Sequence, residues 1–182
     1  LTSFLNRGIS PAYNDDALGL VVNQKCIRNG LLNLKPARRQ SKEVKPERFL
    51  QVGDVLINST GAGTLGRVAV VRAEVPNCTV DTHVTIARPA TQELRTFMAM
   101  ALLELEPTFS GMGVGATNQL ELARADIGSV PLAVPPVPLQ VGFQDLVWPL
   151  LIQSETLSKS NERLADARDA LLPKLMSGEI AV

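Results

Sequence analysis

Apolar positions fall into short runs over the first two-thirds of the chain and into a seven-residue repeat over its last quarter. Residues 1–35 are short apolar runs broken by turn chemistry. "RGISPAYND" carries Gly8, Pro11, Asn14 and Asp15 and predicts a loop. "LGLVVNQKCI" predicts a strand, and "RNG" at 28–30 a turn. Residues 35–50 are basic and irregular, with a short helix expected near 45–50. Residues 55–58 and 67–72 predict strands. Residues 79–87, "TVDTHVTIA", alternate as a half-buried strand should. Thr91 is placed to cap a helix running to about Leu105, in which Leu94, Phe97, Met98, Ala101, Leu102 and Leu105 keep helical spacing. Pro107 ends that helix, and a glycine-rich loop follows over 109–118. Pro131, Pro135, Pro136 and Pro138 make "VPLAVPPVP" a semi-rigid hinge. Beyond it a helix is expected to about residue 177.

That last helix has its own pattern. Phe143, Leu150, Leu157, Leu164 and Leu171 recur every seven residues. Val147 and Leu175 occupy the second seam position, and Ser154, Asn161 and Arg168 fill its middle. A seven-residue period with a polar seam residue suits a coiled coil whose register must be specified. The alternative is an amphipathic helix lying on its own domain. At about 1.5 Å per residue the segment outruns a compact domain, which favours a partner helix. Its interface residues are then Leu150, Leu157, Asn161, Leu164, Leu171 and Leu175. Pro149 either kinks the helix or starts its longer part. The expected fold is α+β. A globular domain with a twisted, mostly antiparallel sheet and short helices occupies 1–137. A long coiled-coil-type helix occupies 138–182.

Composition narrows function. The 182 residues allow one good core with room for an appendage, and 45% apolar with 20% charged residues is ordinary for a globular protein. Formal net charge is zero, so any nucleic-acid surface must be a local patch. Cys26 and Cys78 are too few for a disulfide scaffold and read as reduced, semi-buried thiols of a cytoplasmic protein. No apolar run approaches the ~18 residues of a membrane span, and no signal peptide is expected. The opening Leu1 reads as the start of a piece of something longer. The single histidine, His83, disfavours many enzyme classes. Cys26, Cys78 and His83 lack the spacing of a zinc site.

Two glycine motifs invite cofactor readings. Gly61-x-Gly63-x-x-Gly66 fits the nicotinamide fingerprint, but "RVAVVRAEVP" after Gly66 predicts a strand where a helix N-terminus is needed. Arg67-Val68 replaces the Lys-Ser/Thr of a P-loop. A hairpin is the better reading. Asn58, Ser59, Thr60 and Thr64 then either face a partner or close the turn. "FSGMGVG" at 109–115 mimics a methyltransferase cofactor loop but follows a helix, and no Asn/Asp-Pro-Pro-Tyr/Phe motif accompanies it. There is no G-x-S-x-G.

Four segments, in order, resemble one family. They are "LNRGISPAY" with "VVNQKCIRNGLL", then "GDVLINSTGAGTLGRVAVV", then "GATNQLELARADIGSVPLAVPP", and finally "NERLADARDALLPKLMSGEIAV". Together they resemble the DNA specificity (S) subunit of type I restriction-modification systems. "VPLQVGFQDLVWP" departs from the family's usual Glu-Gln helix start and inserts Pro149. Such subunits typically hold two recognition domains and two conserved helices, so this chain resembles a C-terminal half, or a half-subunit that pairs with itself. The resemblance implies a domain reading one half of a split double-stranded target and a helix acting as spacer. Methyltransferase (M) subunits would dock on the helices and a restriction (R) subunit would join. S-adenosylmethionine, ATP and Mg would belong to those partners, with no cofactor, catalysis or membrane contact in this chain.

Lys25, Arg28, Lys35, Arg38, Arg39, Lys42, Lys45 and Arg48 face only Glu43 and Glu47 over 25–48, the one strongly basic region. Arg38 and Arg39 suit guanine edges, while Lys42 and Lys45 suit phosphates. The alternative is a solvated basic loop. Arg28, Arg67 and His83, with Asn58, Ser59, Thr60 and Thr64, complete the candidate DNA-contacting set. Asn23 and Gln24 either pair with adenine or serve as structural hydrogen-bonders in the strand, the second being favoured. Five Phe, Tyr13 and Trp148 are too few for the stacking platforms of a single-strand binder. A helix-mediated scaffold without DNA reading is the competing function.

Overall fold

The computed structural model describes residues 1–115 and 120–180 of the chain. Residues 116–119, which end the glycine-rich loop expected over 109–118, lie outside the described residues, as do 181–182. In chain order the elements are β1 (Thr2–Arg7), β2 (Gly19–Val22), β3 (Ile27–Arg28), β4 (Leu31–Leu32), β5 (Arg38–Gln40), β6 (Val55–Asn58), β7 (Val68–Val70), β8 (Cys78–Val80) and β9 (Val84–Pro89). The helices α1 (Leu94–Glu104), α2 (Glu106–Gly111), α3 (Arg124–Ser129) and α4 (Val137–Met176) follow. Short 3-10 turns sit at Gln24–Cys26 and Pro46–Arg48.

The fold is α+β. One sheet has the order β1-β9-β6-β7 and is antiparallel throughout. A second has the order β5-β2-β8, with β2 antiparallel to β5 and parallel to β8. Residues 8–13 bridge both edges of this smaller sheet, because Ile9 pairs with Asp81 and Tyr13 with Gln40. The hairpin β3–β4 turns on Asn29 (φ 54°) and Gly30 (φ 73°), the left-handed pair that a two-residue hairpin needs.

Successive side chains of a strand point to opposite faces. Here both faces of the larger sheet's inner strands are covered. Val55, Ile57, Val68, Val70 and Ala87 pack on one side against Met98, Ala99 and Leu102 of α1 and Phe109 of α2. Leu56, Ala69 and Ile86 pack on the other against Val22, Cys78 and Val80 of the smaller sheet. The two thiols belong to this second core. Burial pushes Cys26 up to about 11 and Cys78 up to about 12, so both are free, protonated small apolar groups.

Several boundaries differ from the sequence expectation, each for a physical reason. The strand expected over 79–87 is two strands, β8 and β9, in different sheets. Asp81 breaks it by accepting the His83 amide at 2.9 Å in a tight turn. The strand expected over "LGLVVNQKCI" stops at Val22, where Asn23 caps a 3-10 turn. Thr91 does not cap α1, whose N-cap position is Glu93. Pro107 lies in the first turn of α2 and so starts a helix, and much of the glycine-rich stretch is helical to Gly111. Residues 131–136 carry no regular secondary structure, but Pro138 belongs to the first turn of α4. Pro149 does not start a separate helix. It lies inside α4, as does Pro173. Its missing N–H deprives the Asp145 carbonyl of a partner on an exposed stretch where water can replace it.

One buried charge pair joins the start of β6 to the end of β9 within the larger sheet. Asp54, fully buried, accepts from Arg88 Nε at 2.7 Å, from Arg88 Nη2 at 2.8 Å and from the Gln51 amide at 2.8 Å. Removing one partner of a buried pair strands the other, at a cost of about 3–5 kcal/mol. Asp54→Ala is therefore expected to lower the unfolding free energy by about that amount, read by urea denaturation. A loss below about 1 kcal/mol would show that Arg88 finds other partners.

Candidate nucleic-acid interface

The glycine-rich hairpin loop is built from buried amides. Asn58 and Ser59, at the end of β6, have no exposure. Asn58 Nδ2 donates to the carbonyls of Gln24 (3.0 Å) and Thr64 (3.1 Å). The Ser59 and Thr85 hydroxyls meet at 2.6 Å. For Asn58 and Ser59 the turn-closing alternative is thus the one adopted. They shape the loop and cannot touch a duplex as folded. No helix follows Gly66. The chain enters β7, as "RVAVV" predicts.

The loop's outer residues converge with the turn after β8. Thr60 Oγ1 lies 2.6 Å from His83 Nδ1. Arg67 Nη2 donates to the Gly63 carbonyl at 2.8 Å, and Thr64 Oγ1 to the Gly61 carbonyl at 3.3 Å. Below His83, Asp81 is 4% exposed. Burial pushes its carboxyl above the ordinary range, while the His83 amide and ring charge pull it down less strongly. Arg7 of β1 holds the segment at 121–122 through Glu121 (2.7 Å) and the Leu122 carbonyl (2.9 Å).

Asn23 and Gln24 take different roles. Asn23 Oδ1 accepts the Lys25 amide at 2.9 Å, and its Nδ2 donates to the Pro36 carbonyl at 2.9 Å. It is a structural hydrogen-bonder, as favoured for both. The Gln24 peptide carbonyl is held by Asn58, but its side chain lies over Gly61. The structure thus gathers Gln24, Lys25, Thr60, Thr64, Arg67 and His83 around one loop.

The basic stretch is partly committed to the chain itself. Arg39 Nη1 donates to the Ala17 carbonyl at 2.8 Å and Lys42 Nζ to the Ser10 carbonyl at 3.0 Å. Arg48 donates to the carbonyls of Arg7 and Gly8. Arg38 stacks on Tyr13 with 3.5 Å to the ring centroid, a pairing that residues 25 apart in sequence do not announce. Lys45 is exposed at the entry to the 3-10 turn. Arg28 stands apart, lining a cleft of about 360 Å³ between the β3–β4 hairpin and α4 with Arg72, Glu155 and Glu162. Lys35 pairs with Asp166 of α4 at 3.3 Å.

α4 lies on the domain with one face and leaves the other open. Gln140 is buried, Val147, Trp148 and Leu151 are half-buried, and Arg95 of α1 stacks on Trp148 at 4.0 Å. Leu150, Leu157 and Leu164 are 61%, 56% and 68% exposed; Asn161, Leu171 and Leu175 are exposed too. The helix packs on its own domain with one face, while Leu150, Leu157 and Leu164 of the heptad seam face away and Val147 of the seam is half-buried.

Among the described residues no group of three His, Cys, Asp or Glu is placed to hold a metal, and no helix is long and apolar enough to cross a membrane. No protein-family model matches the chain, and no curated protein matches it.

Asp81 gives the site a pH signature. Its folded carboxyl sits above the ordinary 3.8, so at neutral pH the fold carries the cost of a buried charge. As pH falls through the folded value, the native state takes the proton first and stability rises relative to a neutral side chain. Asp81→Asn keeps an acceptor for the His83 amide. It is expected to match or exceed the parent's stability at neutral pH, with the difference shrinking on acidification. Thermal melts across the acid range check this, and a variant that falls further behind at neutral pH overturns it.

Proposed function

We propose that this chain is a sequence-reading module for double-stranded DNA, of the kind found in type I restriction-modification specificity subunits. The domain reads one half of a bipartite target. α4 pairs with a second such helix, from another copy or a second recognition domain, and sets the spacing. Methyltransferase and restriction subunits assemble on it in the cytoplasm and bring S-adenosylmethionine, ATP and Mg with them. The observation that carries the reading is the seam. Leu150, Leu157, Leu164 and Leu171 stand exposed on one rigid helix of about 60 Å, turned away from the domain that holds the cations. A heptad seam of this length is covered in a working assembly.

On the domain, Arg38, Arg39, Lys42 and Lys45 supply a local basic surface in a neutral chain. The loop of Thr60, Thr64, Arg67 and His83 supplies polar groups on a fixed backbone. One observation favours a second reading, a helix-mediated scaffold with no DNA reading. Arg39, Lys42 and Arg48 each donate to the chain's own carbonyls.

Selection of the whole chain on randomised duplexes separates the two. A short motif repeated as an inverted pair at fixed spacing is expected for a self-paired module, and enrichment of no motif at any salt would leave the scaffold. Joint Arg38→Ala and Arg39→Ala is expected to weaken specific binding by about 1–3 kcal/mol for each base edge no longer read. Leu157→Asp with Leu164→Asp is expected to abolish self-association in sedimentation while the melting temperature of the domain holds. Unchanged association would place the pairing surface elsewhere.

A further inference from the structure

We infer that Gln24 is the adenine-reading residue of this module, presented over Gly61 beside the Thr60–His83 pair. The inference rests on the duplex-reading proposal and names the group that confers specificity within it.

Three observations carry it. First, the backbone of Gln24 is fixed on every side. Asn23 caps the turn by accepting the Lys25 amide, Asn23 Nδ2 anchors to the Pro36 carbonyl, and Asn58 Nδ2 holds the Gln24 carbonyl at 3.0 Å. Second, the side chain is left out of this network. Among the described residues no hydrogen bond engages the Gln24 amide, and the residue is only partly buried. Third, the side chain lies against the loop. Gly61 has φ 108°, and a Cβ there would meet Thr64 Oγ1 first and come within 3.1 Å of Gln24 Nε2.

A carboxamide carries a donor and an acceptor side by side. Adenine shows the matching pair, N6–H and N7, in the major groove, so Gln24 Oε1 accepts from N6 and Nε2 donates to N7. Arginine and lysine have no acceptor and cannot make that match. The neighbours suit the role. The Lys25 ammonium is exposed for a phosphate, and Thr60 fixes the His83 ring through Nδ1 and leaves Nε2 as its other nitrogen. A side chain that is free on a rigid backbone loses little on docking except its own rotamers.

The test is selection on randomised duplexes with the whole parent chain, Gln24→Ala and Gln24→Glu, each checked by its melting curve. The parent is expected to enrich a motif containing adenine. Gln24→Ala is expected to lose the preference at one adenine by about tenfold or more while the other positions hold. Gln24→Glu, an acceptor only, is expected to move that position toward cytosine, whose N4 donates. Identical motifs from all three chains would overturn the assignment of Gln24 and leave duplex reading intact. A uniform weakening at every position would also overturn it, since that is the signature of a phosphate contact or a structural role. No motif from the parent would overturn duplex reading and this inference together.

Discussion

The Asp54–Arg88 pair is the constraint on which the rest of the fold depends. Asp54 has no exposure, and an unpaired carboxylate there would be prohibitively costly. Arg88 meets it with two parallel N–H donors, the fork geometry that only arginine supplies. The same guanidinium donates to the carbonyls of Glu47 and Phe49, at 3.0 and 2.8 Å. One residue beyond Phe49, the Leu50 amide donates to the Cys78 carbonyl of the smaller sheet. A single buried charge pair therefore joins the start of β6, the end of β9 and the segment that runs from β5 of the smaller sheet to β6. Apolar packing on both faces of β6 supplies bulk stabilisation without direction. The charge pair adds a directional contact between β6 and β9.

The opposite end of those strands is built to present groups. β6 runs from Val55, paired with Ala87, to Asn58, paired with Val84. Past Asn58 the buried Asn58 amide and the Ser59–Thr85 hydroxyl pair hold the backbone of the loop from inside. The Asn58 Nδ2 donors and the Ser59 hydroxyl are engaged inward, while Asn58 Oδ1 is buried without a partner among the described residues. The residues one step further out, Thr60, Gly61, Thr64 and His83, inherit a fixed backbone with polar groups turned to the surface. This arrangement also explains why Asp81 sits where it does. Its carboxylate bears a burial cost, and the His83 amide it accepts is what orients the turn.

What the sequence shows of this follows from which signals are local. "VLIN", the "RNG" turn, the core of α1 and the span of α4 are legible because each is set by its own residues. The division between β8 and β9 is not. With Val84, Thr85, Ile86 and Ala87 all buried, alternation no longer marks a face, and the apparent period of "TVDTHVTIA" conceals a change of sheet. Burial of Asn58 and Ser59 is illegible for a different reason. Their partners are the Gln24 carbonyl and Thr85, both distant in sequence. Asn23 and Gln24 are chemically alike and adjacent, yet Asn23 is a cap while the Gln24 side chain has no hydrogen bond among the described residues. Only the position of Pro36 and Gly61 in space distinguishes them.

The heptad reading shows how two local patterns can share one helix. Trp148, Leu151, Glu155 and Ser158 step along α4 at three- and four-residue spacing and face the domain. Leu150, Leu157 and Leu164 step by seven and face away. The inner face is not a strong apolar seam. It relies on Arg95 stacked on Trp148, on the buried Gln140 donating to the Pro135 carbonyl, and on the exposed Lys35–Asp166 pair. Exposed ion pairs contribute at most about 1 kcal/mol. Leucines also stand on the outer face, where nothing among the described residues covers them. A helix that only needed to cap its own domain would place its leucines the other way round. The disposition makes sense if the inner contacts orient α4 and the outer seam does the binding.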